Sequence, residues 1–354
     1  MLPEKSSRLF YADLLRALAI FAVVILHNAA DYDEKLGEIP SSHWWAGTMW
    51  DGLVRFCVPM FVLLSGAFLL KQNKEVSISE VFRKRLPKIV IPLVFWSIIY
   101  ILYNGYTSDN GFAGINWKAQ LKTFYQGPVA YHLWFLYMLI GIYLLYPIIN
   151  LFITAAKEIH IRYFLIVWFI SNCIINIFDA INGSTFGVGM NFFAEYVGYF
   201  VLGFYLTNYT FTQKQLTLAY ILGIVGLLLS MFLPFICLQL HYENRSSLVE
   251  SDFTPDIVLA VTGLFLWFRN RKYPETPGLL SKITSQVSKE SFGIYLIHVL
   301  VMEIIFSDDR NYADVIDAWH PGWGIPLKAV IVLVISFVVV KIIGSVPVLK
   351  RVIV

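Results

Sequence analysis

Residues 11–31 read YADLLRALAIFAVVILHNAAD, an apolar run long enough to cross a bilayer that nevertheless carries an acid, an arginine and a histidine. Asp13 and Arg16 are one helical turn apart, and His27 follows Arg16 by about three turns. On a helix all three share a face, with Arg16 and His27 roughly 16 Å apart along the axis at 1.5 Å per residue. Ionisable groups in hydrocarbon are costly unless paired or hydrated, so such a face marks a functional pathway. An imidazole titrates near neutrality and can take a proton from a hydroxyl as general base. A guanidinium stays charged and suits a phosphate or a developing oxyanion. Asp13 either joins that chemistry or holds Arg16 in place. Taken alone, His27 is equally readable as a hydrogen-bonding contact between helices; the shared face is what points to function.

Other stretches add candidates. The run RFCVPMFVLLSGAFLL places Arg55 four residues before Pro59, and its Ser65 and Gly66 permit close helix approach. Arg55 either snorkels to the interface or shares a site with His27 at the same depth. The run FRKRLPKIVIP carries Arg83, Lys84, Arg85 and Lys88, which suit anionic lipid or a polyphosphate ligand such as coenzyme A. YHLWFLY places His132 and Trp134 at the membrane surface on the His27 side, as anchors or site residues. SFGIYLIHVLVMEI sets Tyr295 and His298 on one face, with Glu303 beyond them. Glu195 reads as a further buried acid. Cys57, Cys173 and Cys237 give neither a disulfide framework nor zinc spacing, and no metal is expected. Walker and Rossmann glycine patterns are missing, and nothing suggests a nucleic acid.

These residues must be positioned by membrane helices. Of the 354 residues 58% are hydrophobic and 14% charged, against about one quarter charged in soluble domains. Apolar runs of membrane-spanning length recur, at about 10–30, 52–71, 87–104, 132–154, 163–181, 192–209, 216–237, 254–269, 290–307 and 325–345. The expectation is an all-α polytopic membrane protein of about ten transmembrane helices, one domain over 1–354. Of 27 Lys and Arg, 19 fall on the side of both termini, 6 on the other, and Arg16 and Arg55 lie within spans. The positive-inside rule therefore puts the N- and C-termini in the cytoplasm. Outer segments lean acidic, with Asp31, Asp33, Glu34 and Glu38, then Asp308, Asp309, Asp314 and Asp317. The intervening segments 31–51, 105–131 and 270–289 read as loops too short for a soluble domain. The first run is too long and too charged for a signal peptide. Trp44, Trp45, Trp50, Trp319 and Trp323 read as an interfacial belt or as a sugar-stacking platform.

Taken in order, these motifs resemble the membrane acyltransferase-3 family. The resemblance rests on D-L-L-R ending at Arg16 with His27 after ten intervening residues, R-x-x-V-P-x-F and S-G (Arg55, Val58, Pro59, Phe61, Ser65, Gly66), F-R-K-R-L-P-K-I, Y-H-L-W-F-L-Y and S-F-G-I-Y-L-I-H. The ordered set covers most of the chain. The Y-H-L-W and S-x-G-I-Y elements look most like the compact branch that includes the enterobacterial-common-antigen O-acetyltransferase.

The resemblance implies ten helices in a bacterial inner membrane and transfer of an acyl group, usually acetyl from acetyl-CoA, to a hydroxyl of a surface glycan or its lipid-linked precursor. Acetyl-CoA is then a substrate, and no tightly bound cofactor is implied. It maps the family's arginine–histidine pair onto Arg16 and His27 and its second-span arginine onto Arg55. The expected catalytic set is His27, Arg16, Asp13 and Tyr295. The expected binding set is Arg55, Arg83, Arg85, Lys88, His132, Trp134, His298 and Ser65, with membrane lipid around them. The rival reading is a transporter or flippase using the same intramembrane charges as a substrate pathway. The lack of an internal inverted repeat counts against it.

Overall fold

The computed structural model describes residues 7–72, 75–182, 195–240, 248–273, 278–306 and 319–353. Lys5, Lys74, Arg245, Arg310 and the acids Asp308, Asp309, Asp314 and Asp317 lie outside the described residues. Among those described, helix is the only regular secondary structure. The principal helices are α1 (Ser7–Ala29), α2 (Ser41–Val54), α3 (Cys57–Leu69), α4 (Pro87–Thr107), α5 (Trp117–Gln126), α6 (Trp134–Ala155), α7 (Glu158–Phe169), α8 (Glu195–Asn208), α9 (Gln213–Gln239), α10 (Pro255–Arg269), α11 (Leu279–Phe306) and α12 (Pro321–Gly344). Seven helical segments are long and apolar enough to cross a membrane. The protein is an all-α, multi-pass membrane protein.

The first helix is the axis of the bundle. It packs against α2, α3, α10, α11 and α12. Ala12, Leu15, Ala19, Ile20, Val23 and Val24 are buried to within 2% of complete, a helical repeat of small and β-branched side chains that lets neighbours approach. Because lipid tails are as apolar as leucine, such contacts hold helices together by close packing and interhelical hydrogen bonds. The tightest is between α3 and α8, where an added Cβ on Gly66 would lie 1.7 Å from the Phe200 carbonyl oxygen and one on Gly203 1.9 Å from that of Leu63. Two backbones touch there, and no side chain fits between them.

Three boundaries differ from the sequence expectation. The second span begins at Ser41, so much of the expected loop 31–51 is helix, packed against α1, α9 and α12. Its tryptophans are tied down: Trp44 is 1% exposed and donates to the Asp33 carbonyl at 3.1 Å, Trp45 stacks on Phe235, and Trp50 donates to the Gly322 carbonyl at 3.2 Å. Trp44 is therefore out of reach of a ligand, Trp45 and Trp50 are partly buried, and Trp319 and Trp323 are exposed. Second, the kink expected at Pro59 is a full interruption between α2 and α3 at Arg55–Phe56. Pro59 falls in the first turn of α3, where its missing N–H leaves the Arg55 carbonyl without an α-helical donor. Third, the expected loop 270–289 is helical from Leu279, so the helix carrying Ser291, Tyr295 and His298 starts well before the expected ninth span. Within 105–131, Asn116 caps α5 by accepting from the Ala119 N–H at 3.0 Å.

Gly66→Leu should lower stability by about 3 kcal/mol or more, since overpacked backbones cannot relax. Gly141→Ala, where nothing lies within 4 Å of the added atom, should leave it unchanged. Thermal unfolding of the two purified variants checks the contrast.

Candidate functional site

Near its N-terminal end α1 presents Asp13 and Arg16, which pair at 3.7 Å. Asp13 also accepts hydrogen bonds from Ser285 at 2.9 Å and Ser288 at 2.8 Å, both on the early turns of α11. Its carboxylate is therefore occupied by two hydroxyls and one guanidinium. These contacts tie Asp13 to Arg16 and to α11. Arg16 is held between Asp13 and the face of Phe68, 5.1 Å from the ring centroid, and reaches a large cavity.

That cavity, about 1170 Å³ in volume, enters the bundle from the basic end. Its mouth is ringed by cations from three separate segments: Arg83, Lys84, Arg85 and Lys88, then Lys289, then Lys350 and Arg351. Arg83–Arg85 lie in a π-helical turn (Val81–Arg85) closed by the Leu86 N–H on the Val81 carbonyl at 2.9 Å. Arg85 pairs with Glu80 at 3.4 Å, and Glu80 is the one acid in the lining. Deeper in, the walls are Ser65, Phe61, Leu64, Phe135 and Leu139, and Tyr295 lies among them. The Ser65 hydroxyl is turned onto the Phe61 carbonyl of its own helix at 2.9 Å.

Tyr295 links the cavity to a cluster of three histidines. Its hydroxyl donates to the His132 carbonyl, and its ring centroid is 5.7 Å from His298 and 5.8 Å from His132. The His27 and His298 rings are 5.0 Å apart, His132 and His298 5.3 Å, and His27 and His132 6.4 Å. His132 and His298 are fully buried, so His132 is no surface anchor; it lies just before α6, folded inward. His27 is half-buried, with the ring of exposed Tyr131 5.1 Å away. The His298 Nδ1 is 2.7 Å from the Tyr295 carbonyl. A carbonyl only accepts, so Nδ1 carries the proton, and Nε2, which meets no partner, keeps its lone pair. Among the described residues no group of three His, Cys, Asp or Glu is arranged to hold a metal ion.

One contributor escapes sequence reasoning. The Tyr100 hydroxyl of α4 donates to the Leu296 carbonyl at 3.0 Å and accepts from the Leu300 N–H at 3.2 Å. Those two groups form an i, i+4 pair of the α11 ladder, so a side chain from another helix is wedged into it beside His298. The Tyr100 ring also lies 5.0 Å from that of His132. The Asp13 partners Ser285 and Ser288 are missed for a simpler reason: they fall in a stretch that reads as loop.

With the geometry in hand, comparison with known proteins is decisive at the family level. A family model described as an acyltransferase domain, of the acyltransferase-3 type, matches residues 9–343, nearly the whole chain. The chain belongs to the acyltransferase-3 family. It is thus a membrane acyltransferase, which replaces the transport reading. No curated protein and no solved structure matches it significantly.

In this acyltransferase Arg55 sits apart from the histidines in a second polar cluster. At the α2–α3 break its Nε donates to Asp51 at 2.7 Å, and both side chains are nearly buried. Asp252, on the segment leading into α10, also faces Arg55. Asp252 accepts from the Tyr196 hydroxyl at 2.6 Å, and its backbone carbonyl accepts from Tyr199 at 2.5 Å. Trp134 borders this cluster through Tyr196, 5.8 Å between centroids. Glu195, expected to be buried, is exposed at the first residue of α8, where a carboxylate meets the positive end of the helix.

Burial pushes the Asp252 carboxyl up to about 6, against the pull of the Tyr196 hydroxyl and of Arg55. A carboxyl whose folded pKa is raised contributes stability that is full below its unfolded value, near 3.9, and lost as pH rises through about 6. Wild-type protein should therefore gain up to about 2 kcal/mol relative to Asp252→Asn as pH falls from 7.5 to 4.5. Paired thermal melts across that range check the sign.

Proposed function

We infer that the protein is a membrane O-acetyltransferase that moves acetyl from acetyl-CoA to a hydroxyl of a cell-surface glycan or its lipid-linked precursor. One observation carries the reading: a cavity ringed by cations leads past Arg16 to Tyr295, directly beneath three histidines. The mouth suits a nucleotide carrying several phosphates, because guanidinium and ammonium groups bind phosphate by charge-assisted hydrogen bonds. The apolar walls beyond it suit a long thin arm, and the Arg16-to-His27 rise of roughly 16 Å is comparable to the reach of pantetheine. Membrane orientation fits the same account. By the positive-inside rule the basic mouth faces the cytoplasm, where the donor is made, and His27 lies toward the far face of a bacterial inner membrane.

Half-buried His27, beside exposed Tyr131, is the histidine an acceptor hydroxyl can reach. His27 takes the hydroxyl proton as the oxygen attacks the thioester carbonyl. The carbon–oxygen bond forms, the carbon–sulfur bond breaks, and the proton passes to the leaving thiolate. Arg16 holds a fixed positive charge along the donor path, and Tyr295 lies at the reacting end of the cavity, where its hydroxyl can turn toward an oxyanion. His298 and His132 fix the position of His27 from the buried side. Arg55 and Trp134, in the second cluster, border the route from the outer face.

His27→Ala should lower acetyl transfer by about 10²–10⁴-fold, the usual worth of a general base, while the protein still inserts and folds. The assay is release of free thiol from acetyl-CoA by detergent-purified protein, with mass spectrometry of surface glycans from cells with and without the gene. Wild-type rates in the variant rule out His27 as base. Acetyl-CoA left intact by the wild type, with glycan acetylation unchanged by gene loss, rules out the function.

A further inference from the structure

The segment following α12 does not run off into solvent. After Gly344 it makes a short helical turn, Leu349–Val352, that folds back against α4 and α12. The Trp96 indole donates to the Val352 carbonyl at 2.9 Å, a buried bond. Val352 is 8% and Ile353 2% exposed. Ile353 is seated against two glycines: an added Cβ would lie 3.4 Å from its side chain on Gly293 of α11 and 3.3 Å on Gly344 at the end of α12. The segment is thus pinned at its far end by one hydrogen bond and one fitted side chain. Between the pin and α12 it displays Lys350 and Arg351, both exposed and both lining the cavity mouth.

The charge arrangement at the mouth is unusual for a resting surface. Arg83, Lys84, Lys88, Lys289, Lys350 and Arg351 converge there, and among the described residues none of these six makes an ion pair. Like charges held together by a folded scaffold repel one another, and a ligand carrying several negative charges relieves that repulsion. The return of the chain adds two of the six. The Trp96 hydrogen bond keeps them over the mouth when a flexible end would carry them away.

We propose that the segment 345–353 is a strap, pinned by Trp96 and Ile353, whose Lys350 and Arg351 bind the phosphates of the donor's nucleotide end. The proposal rests on the acyl-CoA reading above and deepens it. Lys350 and Arg351 are donor-binding residues remote from the reacting carbon, so they govern capture of the donor and leave the acyl transfer step alone. Trp96 does not line the cavity and acts only by positioning the strap.

The test compares two thioesters with the full-length protein: acetyl-CoA and the acetyl thioester of N-acetylcysteamine, which keeps the reacting group and lacks every phosphate. Lys350→Ala/Arg351→Ala changes exposed side chains and should raise KM for acetyl-CoA by about tenfold with kcat unchanged, as expected for lost charge-assisted contacts. KM for the phosphate-free thioester should not move. Trp96→Phe, which keeps the ring and loses the donor, should show the same split, and Lys350→Arg should restore near-normal KM. An unchanged KM for acetyl-CoA in the double variant overturns the strap, as does an equal rise for both thioesters. Wild-type protein inactive with acetyl-CoA instead overturns the donor reading itself. Assays in detergent and in phosphatidylglycerol vesicles separate nucleotide phosphate from lipid headgroup. A KM effect confined to vesicles assigns the two cations to lipid and overturns the proposal.

Discussion

The structure depends on how it keeps charged and polar side chains inside an apolar helix at the centre of the bundle. An isolated arginine in hydrocarbon is expensive, and Arg16 is tolerable only because Asp13 lies one turn before it and a cavity lies beside it. Asp13 in turn would be an uncompensated acid without Ser285 and Ser288. The early turns of α11 are therefore welded to α1 by a chain of three groups ending at the cavity wall. That weld sets the relative height of the two helices, and hence brings His27 and His298 level with one another further along.

The histidine cluster departs from that rule: a buried imidazole nitrogen is costly without a hydrogen bond, yet among the described residues both ring nitrogens of His132 and Nε2 of His298 meet no partner. The Tyr295 carbonyl accepts a hydrogen bond from His298 Nδ1, while the Tyr100 hydroxyl occupies the next part of the α11 ladder. One nitrogen of His298 is thus bonded within α11 and the other is left without a partner, in a ring 5.0 Å from that of His27. Small residues allow close packing elsewhere in the bundle: Gly66 and Gly203 bring α3 and α8 into backbone contact.

The second cluster, around Arg55, shows a different solution to a similar cost. Breaking the span into α2 and α3 exposes backbone groups at Arg55–Phe56 and gives the guanidinium room to fold onto Asp51. Asp252 is brought up from a non-helical segment and tied by two tyrosines. The acyltransferase therefore carries two polar centres, one connected to the cationic cavity through Tyr295 and one beside Trp134 and the α2–α3 break.

What the sequence alone determined is what one-dimensional pattern can carry. Apolar runs set the all-α, multi-pass architecture, because a bilayer demands a fixed length of apolar helix whatever surrounds it; seven helical segments among the described residues meet that length. The Asp13–Arg16–His27 face follows from helical period alone, and the ordered motifs reach the family. Helix ends were less legible: Trp44 lies in helix where the charged and glycine-containing stretch reads as loop, and Leu279–Lys289 is helix although its serines and lysines look like a linker. Packing against neighbouring helices decides those ends. The tertiary structure alone decided that Arg16 is anchored from α11, that His132 turns inward to meet His27 and His298, that Tyr100 enters the α11 ladder, and that residues 350 and 351 return to the cavity mouth. Each is a contact between segments distant in the chain, set by which helix faces meet, and no local periodicity encodes that.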